Sequence, residues 1–311
     1  MKIVFMGTPE FSINVLQALI DSEHDVVGVV TQPDRFVGRK KILTPPPIKA
    51  LALNYQIPVF QPEKIKEDYQ QIILWKPDLI ITCAYGQIIP KALLDFPPYK
   101  AINVHASLLP KYRGGAPIHQ AIIDGCQKTG VTIMYMDVKM DEGDIISQEE
   151  VVIEKNDNVG TMHQKLSVVG AKLLMESLPS IFSGTNQRLK QNPHEATYAS
   201  NIKPQDELID WNNDGEAIYN QVRGLNPWPG AYTMLDHKRV KIYDCEVVQG
   251  KQHQSSGEII QINKNTIIIT TGNETCIKVN EVQLAGKKRQ LMKDVLNGHH
   301  PFEIGKIFTL V

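Results

Sequence analysis

The chain has 311 residues, 42% of them hydrophobic and 22% charged, with a net charge of −1. That is the balance of an ordinary soluble globular protein with room for one large or two moderate domains. It carries no bulk electrostatic footprint for nucleic acid, so any such partner must be met by local basic patches.

Residues 2–6 form a short apolar strand, followed by Gly7-Thr8-Pro9, a helical pattern over 10–21 and a second strand over 25–31. Strand, glycine turn, helix and strand open a Rossmann-type sheet. Gly7 stands without the rest of a G-x-G-x-x-G fingerprint, so a nicotinamide-dependent oxidoreductase is disfavoured. The N-terminus reads as a strand rather than a signal peptide, and no apolar run approaches the ~20 residues of a membrane span. No membrane partner is expected. Cys83, Cys126, Cys245 and Cys276 are scattered without metal-type spacing and read as small residues in a reducing cytosol, three of them in apolar runs.

Residues 31–50 carry Arg35, Arg39, Lys40, Lys41 and Lys49 against Asp34 alone, with Gly38 and three consecutive prolines marking a loop. A long basic loop inside an α/β domain is functional or disordered. With Phe36 it suits RNA phosphates plus one inserted apolar group, or a solvated surface excursion. Helices are predicted over 48–55 and 62–76 with a short strand at 59–60, then a buried strand over 77–83. The segment 84–90 leaves that strand.

Residues 99–105 read as a buried strand, and its period of two puts Asn103 and His105 side by side at its end. A helix starts at Pro117, stops near Gly125, and is followed by a strand over 131–138 and the acidic turn 140–144. As a parallel crossover, this would deliver Asp141 to the sheet edge where Asn103 and His105 emerge. An amide can donate to an oxygen that becomes negative, an imidazole can move protons near neutral pH, and a carboxylate can orient or charge that imidazole. This suits acyl transfer to an amine without a Ser or Cys nucleophile. Taken alone, an Asn-x-His pair is equally suited to satisfying loop backbone.

The longer pattern separates these readings. Asn-Val-His-Ala-Ser-Leu-Leu-Pro-Lys-Tyr-Arg-Gly-Gly-Ala-Pro over 103–117, then Gly130-Val131-Thr132-Ile133-Met134 and Asp141-Glu142-Gly143-Asp144, closely resembles the folate-dependent formyltransferase family. Within that family the chain is similar to the members that formylate charged initiator tRNA. The resemblance implies 10-formyltetrahydrofolate as co-substrate, no metal, and initiator methionyl-tRNA as acceptor. It places Asn103, His105 and Asp141 at the catalytic positions. It also implies that Ser107, Leu108, Leu109 and Pro110 bind the tetrahydrofolate, and that the backbone of Gln87, Ile88 and Ile89 reads the pterin. The same resemblance assigns the 31–50 loop to the tRNA acceptor stem, with Arg39 and Lys41 as preferred contacts.

A strand over 145–153 and a long amphipathic helix over 161–182 follow, then a polar, irregular stretch over 184–205 that reads as a linker. A helix over 215–223, capped by Asp214, precedes five short strands over 231–235, 239–248, 257–263, 266–271 and 276–282. These argue a small antiparallel barrel. Lys287-Lys288-Arg289 precedes a short helix at 291–296, and Lys238, Arg239 and Lys241 form a second basic cluster. The run 284–289 resembles the C-terminal domain with which the family grips tRNA.

The expected fold is therefore α/β: a Rossmann-like, mostly parallel N-terminal domain plus an OB-like antiparallel β-barrel. The expected division is a catalytic domain at 1–183, a linker at 184–205 and a tRNA-binding domain at 206–311. A cytoplasmic monomer is expected. The alternatives are another 10-formyltetrahydrofolate-dependent enzyme acting on glycinamide ribonucleotide or an amino-sugar nucleotide, and an RNA-binding protein without activity. The first leaves the basic patches unexplained and the second leaves Asn103, His105 and Asp141 superfluous.

Overall fold

The structure, a computed structural model, describes residues 1–38, 40–250 and 255–310. The chain divides into two compact units: Met1–Pro117, Lys128–Val152 and His163–Ala199 form the first, and Ile118–Gln127, Ile153–Met162 and Ser200–Val311 the second.

The chain runs through β1 (Lys2–Gly7), α1 (Ile13–Ile20), β2 (Asp25–Val30), β3 (Arg35–Val37), β4 (Ile42–Thr44) and α2 (Pro47–Asn54). It continues through β5 (Val59–Phe60), α3 (Gln70–Leu74), β6 (Leu79–Cys83), α4 (Lys91–Leu94) and β7 (Ala101–His105). After α5 (Pro117–Ile123) come β8 (Lys128–Tyr135), β9 (Ile145–Val152) and α6 (Val159–Ser183).

The sheet of the first unit has the order β5-β2-β1-β6-β7-β8-β9. Pairing is parallel from β5 to β7, because each strand there is reached by a crossover. The central strands read as unbroken apolar runs because both faces are covered: every residue of β6 is buried. β1, β6 and β7 therefore end at one edge of the sheet, and the segments after Gly7, Cys83 and His105 leave it together.

Three expectations are corrected here. β8 is antiparallel to β7, pairing His105 with Thr132 and Asn103 with Met134, so the parallel crossover does not exist. Within the segment 31–50, Arg35–Val37 and Ile42–Thr44 pair as the antiparallel strands β3 and β4, with Phe36 opposite Leu43, and Lys41 N donates to Gly38 O at 3.1 Å. The helix expected over 62–76 shrinks to α3. Gln87 accounts for this, since its side chain accepts from Ile65 N (2.8 Å) and donates to Pro62 O and Glu63 O (both 3.3 Å). Those main-chain groups are held in turns and are lost to a helix.

The part of α6 in the first unit packs on the sheet, where a side chain added at Gly170 would meet Val104 at 3.0 Å and Val131 at 3.5 Å. α6 is also long and apolar enough to cross a membrane by length and composition, with 50% of its most apolar window buried in the protein. The expectation that no apolar run approaches a span's length fails on this helix.

In the second unit, α7 (Gly215–Gly224) is capped by Asp214, whose carboxylate accepts from Ala217 N at 2.7 Å. The strands that follow are β10 (Tyr232–Leu235), β11 (Lys238–Gln249), β12 (Ile259–Ile262), β13 (Ile267–Thr270), β14 (Thr275–Leu284) and β15 (Gln290–Leu291), and α8 (Met292–Leu296) comes last. They form a curled antiparallel sheet of order β10-β11-β14-β13-β12, with β15 on β14. The two edges are both tied to the end of the chain: Met234 pairs with Thr309 and Glu258 with Ile307. Ile209, Trp211, Ile218, Val222, Ile242, Ile277 and Phe308 are among the residues filling this core.

Candidate active site

Val104 faces α6, so the alternation of the strand turns Asn103 and His105 to the opposite face. Their Cβ atoms stand about 6.6 Å apart on ordinary strand geometry. Thr82, the register partner of Asn103 on β6, donates from its hydroxyl to Asn103 Oδ1 at 2.7 Å. That bond occupies the amide oxygen and leaves the two Nδ2 hydrogens for another acceptor.

His105 is 6% exposed. Its Nε2 lies 3.1 Å from Tyr112 O, a bond in which the carbonyl accepts and the ring nitrogen donates. Its Nδ1 faces Asp141 Oδ2 at 3.8 Å, an ion-pair distance outside hydrogen-bond reach. Both ring nitrogens thus face oxygen atoms, Nε2 within hydrogen-bond reach and Nδ1 beyond it. Asp141 Oδ2 is itself fixed by Gly114 N, which donates at 2.8 Å.

Asp141 reaches His105 although β8 runs the opposite way from the expectation. β8 ends beside the start of β7, with Met136 N donating to Ala101 O at 2.9 Å, and the turn between β8 and β9 folds back. Asp141 takes φ +54° in that turn, a left-handed conformation that is unusual for a residue other than glycine. At Gly143 an added side chain would stand 1.8 Å from Tyr135 O, so only glycine fits.

The segment after β7 is tied by its main chain. Thr132 Oγ1 donates to Ser107 O at 2.6 Å, Leu109 N donates back to Thr132 Oγ1 at 3.2 Å, and Gln148 Nε2 donates to Leu109 O at 2.9 Å. Ser107 is fully buried and donates its hydroxyl to Lys111 O at 2.7 Å, and Leu109 is buried as well. Ser107 and Leu109 thus present little side-chain surface, while Leu108 and Pro110 are half-buried. In the neighbouring segment the Gln87 side chain is spent on 62–65 and Ile89 is buried in the core, whereas Ile88 is exposed. Asn103 and His105 reach the edge at which the segments after Cys83 and His105 leave the sheet, and the folded-back turn brings Asp141 to them.

Cys83, at the end of β6, is no rival nucleophile. Burial pushes its thiol up to about 12, which keeps it protonated at neutral pH. All four cysteines are free, and Cys83, Cys245 and Cys276 are buried.

Of the candidate tRNA contacts, Arg39 lies outside the described residues. Lys41 is exposed on the hairpin turn, next to exposed Phe36, Val37, Ile42 and Leu43. Lys287 and Lys288 are exposed too. Arg289 is not available in the same way: it pairs with Glu281, donates to Asn226 Oδ1 at 3.1 Å, and stacks 4.3 Å from the Tyr243 ring centroid. Lys241 of the second cluster likewise donates to Pro229 O at 2.6 Å.

Sequence reasoning missed Arg113 and Gln191. Arg113 is 3% exposed, and Gln191 lies in the stretch read as linker. That stretch is bound to the first unit, where Leu189 bridges Ile145, Tyr198 bridges Arg113, and Arg188 pairs with Asp144 at 3.0 Å. The Arg-Gly-Gly signal was visible, but nothing in a polar irregular segment marks one glutamine.

Comparison with known proteins identifies the family. Residues 1–178 match the formyl transferase family and residues 201–300 the formyl transferase C-terminal domain. The methionyl-tRNA formyltransferases of Staphylococcus aureus strains MW2 and N315 are each 55% identical to this chain over 307 residues, covering 98% of both sequences. Among solved structures, the methionyl-tRNA formyltransferase of Clostridium thermocellum shares the fold at a TM-score of 0.56 and 18% identity, covering 90% of this chain and 98% of that one. HypX of Aquifex aeolicus, solved with tetrahydrofolic acid, has a TM-score of 0.65 at 17% identity, covering 95% of this chain and 47% of that one. The chain belongs to the formyl transferase family, among the methionyl-tRNA formyltransferases.

Proposed function

We propose that this protein transfers the formyl group of 10-formyltetrahydrofolate to the α-amino group of initiator methionyl-tRNA, giving N-formylmethionyl-tRNA for translation initiation. One observation carries the reading. Asn103 and His105 share one face of β7, with Asp141 Oδ2 3.8 Å from His105 Nδ1, in a chain 55% identical, over 98% of its length, to methionyl-tRNA formyltransferases.

In this reading the amine attacks the formyl carbon. Asn103 Nδ2 donates to the oxygen that gains negative charge, and Thr82 holds the amide oxygen away so that Nδ2 faces that position. His105 Nδ1, the ring nitrogen without a hydrogen bond to the protein, delivers the proton that the departing nitrogen requires. Asp141, 3.8 Å from Nδ1, orients the ring and is available to take up the proton lost by the amine. The half-buried faces of Leu108 and Pro110, with Ile88 from the neighbouring segment, line the folate side.

We assign formyl transfer to residues 1–183 and tRNA grip to residues 206–311 with the basic segment 31–50. Lys41, Lys287 and Lys288 are the contacts retained from the sequence, and Arg39 stays with them. Four free cysteines, three of them buried, support work in the reducing cytoplasm, where we place the protein as a monomer. A formyl-transfer assay offering charged initiator tRNA, free methionine and glycinamide ribonucleotide side by side tests the reading. Formylation of the tRNA alone is expected. Preferential use of glycinamide ribonucleotide would move the protein to another formyltransferase activity.

A further inference from the structure

Every hydrogen-bonding group of one glutamine is spent between a buried arginine and the turn that carries Asp141. Gln191 Oε1 accepts from Arg113 Nε at 3.1 Å and from Arg113 Nη2 at 2.8 Å. Gln191 Nε2 donates to Asp141 O and to Gly143 O, both at 2.8 Å. An amide has two lone pairs and two hydrogens on these atoms, so the side chain is saturated. Arg113 completes the clamp from the other side, with Nη1 3.1 Å from Glu142 Oε1. Its main chain adds two bonds to the same strap: Arg113 N donates to Thr197 O at 2.9 Å, and Ala199 N donates to Arg113 O at 2.7 Å.

We propose that Gln191 and Arg113 are positioning residues for the reaction, holding the 141–143 turn so that the Asp141 carboxylate faces His105. The inference rests on the proposed role of Asp141. A left-handed conformation at a non-glycine residue persists only where its surroundings over-determine it. Here the surroundings are named: Gln191 binds the carbonyls on both sides of Glu142, and Gly114 N binds the carboxylate. Neither Gln191 nor Arg113 donates to His105 or Asn103 through any of these bonds. Their effect on chemistry therefore runs through Asp141, and displacement of a reacting group by about 1 Å costs roughly 10²-fold in rate.

The test is a double-mutant cycle between Gln191→Met and Asp141→Asn, read in kcat, in KM for each substrate and in the pH profile of kcat. Methionine keeps the volume of glutamine and makes none of its four bonds. Gln191→Met is expected to lower kcat by roughly 10- to 100-fold and to leave both KM values within about twofold. It should move the pH profile in the same direction as Asp141→Asn. In the Asp141→Asn background the further loss should be under about twofold, because residues acting through one another are not additive. Arg113→Lys keeps the charge and loses the paired N–H groups, and should lower kcat with an unchanged melting temperature. Wild-type kcat in Gln191→Met, or losses that multiply in the double variant, would overturn the inference while leaving the site intact. Full activity in Asp141→Asn alone would instead sink the proposed role of Asp141, and the inference with it.

Discussion

Gly114 N donates to Asp141 Oδ2 at 2.8 Å, and the same carboxylate oxygen stands 3.8 Å from His105 Nδ1. The main chain thus aims the carboxylate, and the imidazole is left to close the remaining distance when substrates bind, as catalytic hydrogen bonds commonly do.

Removal of each member of the trio should depress turnover with the fold intact. Asn103→Ala is expected to cost about 10²–10³ in single-turnover rate, and His105→Ala roughly 10²–10⁴. Asp141→Asn keeps an oxygen for Gly114 N to donate to and loses only the charge, so its loss reports electrostatics rather than shape. Near-wild-type single-turnover rates in a folded His105→Ala protein would remove His105 from the mechanism.

Gly143→Ala addresses the turn from its backbone. The added carbon would meet the Tyr135 carbonyl oxygen at 1.8 Å, which no side-chain motion relieves. The expected result is a stability loss of about 1–3 kcal/mol together with a fall in kcat. Calorimetry and steady-state kinetics on the same preparation check both, and an unchanged kcat would show that the turn tolerates displacement.

How the sequence revealed the site bears on these expectations. Period-two alternation was enough to pair Asn103 with His105, because a strand end has only two faces. Strand direction was not legible: β8 is buried on nearly every residue, and a continuous apolar run reads the same in either orientation. Asp141 was consequently brought to His105 by a false crossover, although the observed turn does put it there. The short α3 was hidden by Gln87, whose bonds to residues 62–65 join positions 22 or more apart in the chain. Gln191 was hidden for the same reason, since its partners are main-chain carbonyls and a distant guanidinium that leave no local pattern.

The exposed hairpin should act through tRNA alone. Each phosphate contact contributes roughly one unit to the slope of log affinity against log salt. Lys41→Ala is expected to raise KM for charged tRNA and make that salt dependence shallower, with the folate KM unchanged. Identical salt slopes would reduce the hairpin to solvated surface.

Lys287, Lys288 and Arg289 should separate in experiment. The paired Lys287→Ala and Lys288→Ala change is expected to weaken tRNA use with no change in melting temperature. Arg289→Ala should instead lower the melting temperature, at a cost of about 1 kcal/mol, because Glu281 and the Tyr243 ring lose their partner. Thermal scans alongside tRNA titrations distinguish the two; an Arg289→Ala protein of unchanged stability would contradict the assignment.

His119 gives the second unit an acid sensitivity. Burial lowers its pKa, opposed by the Gly224 carbonyl, which accepts from Nδ1 at 2.8 Å. The native pKa lies below the ordinary value of about 6.5, so the unfolded chain binds the proton more readily. Stability is therefore full above that value and falls as pH drops from it towards the depressed native pKa. His24 is lowered as well, by burial first, and adds in the same direction. His119→Asn keeps a donor in the place of Nδ1 without titrating. Its melting temperature should change less between pH 7.5 and pH 5.5 than the wild type's, and an equal change would exclude His119 as the source.

The second unit draws on three separate stretches of chain, and its bonds show what that means for anyone who would move it. Arg223 donates to Glu154 O and Asp157 O, Tyr219 donates to Lys155 O, and Ile153 N donates to Gln127 O. His119, from the earliest stretch, holds the end of α7. Transplanting residues 200–311 alone onto another enzyme would carry α7 away with Arg223, Tyr219 and Gly224 stripped of these partners. A working chimera needs residues 118–127 and 153–162 as well, so recombination between relatives favours crossovers that exchange all three stretches together over a single cut in the polar segment near residue 200.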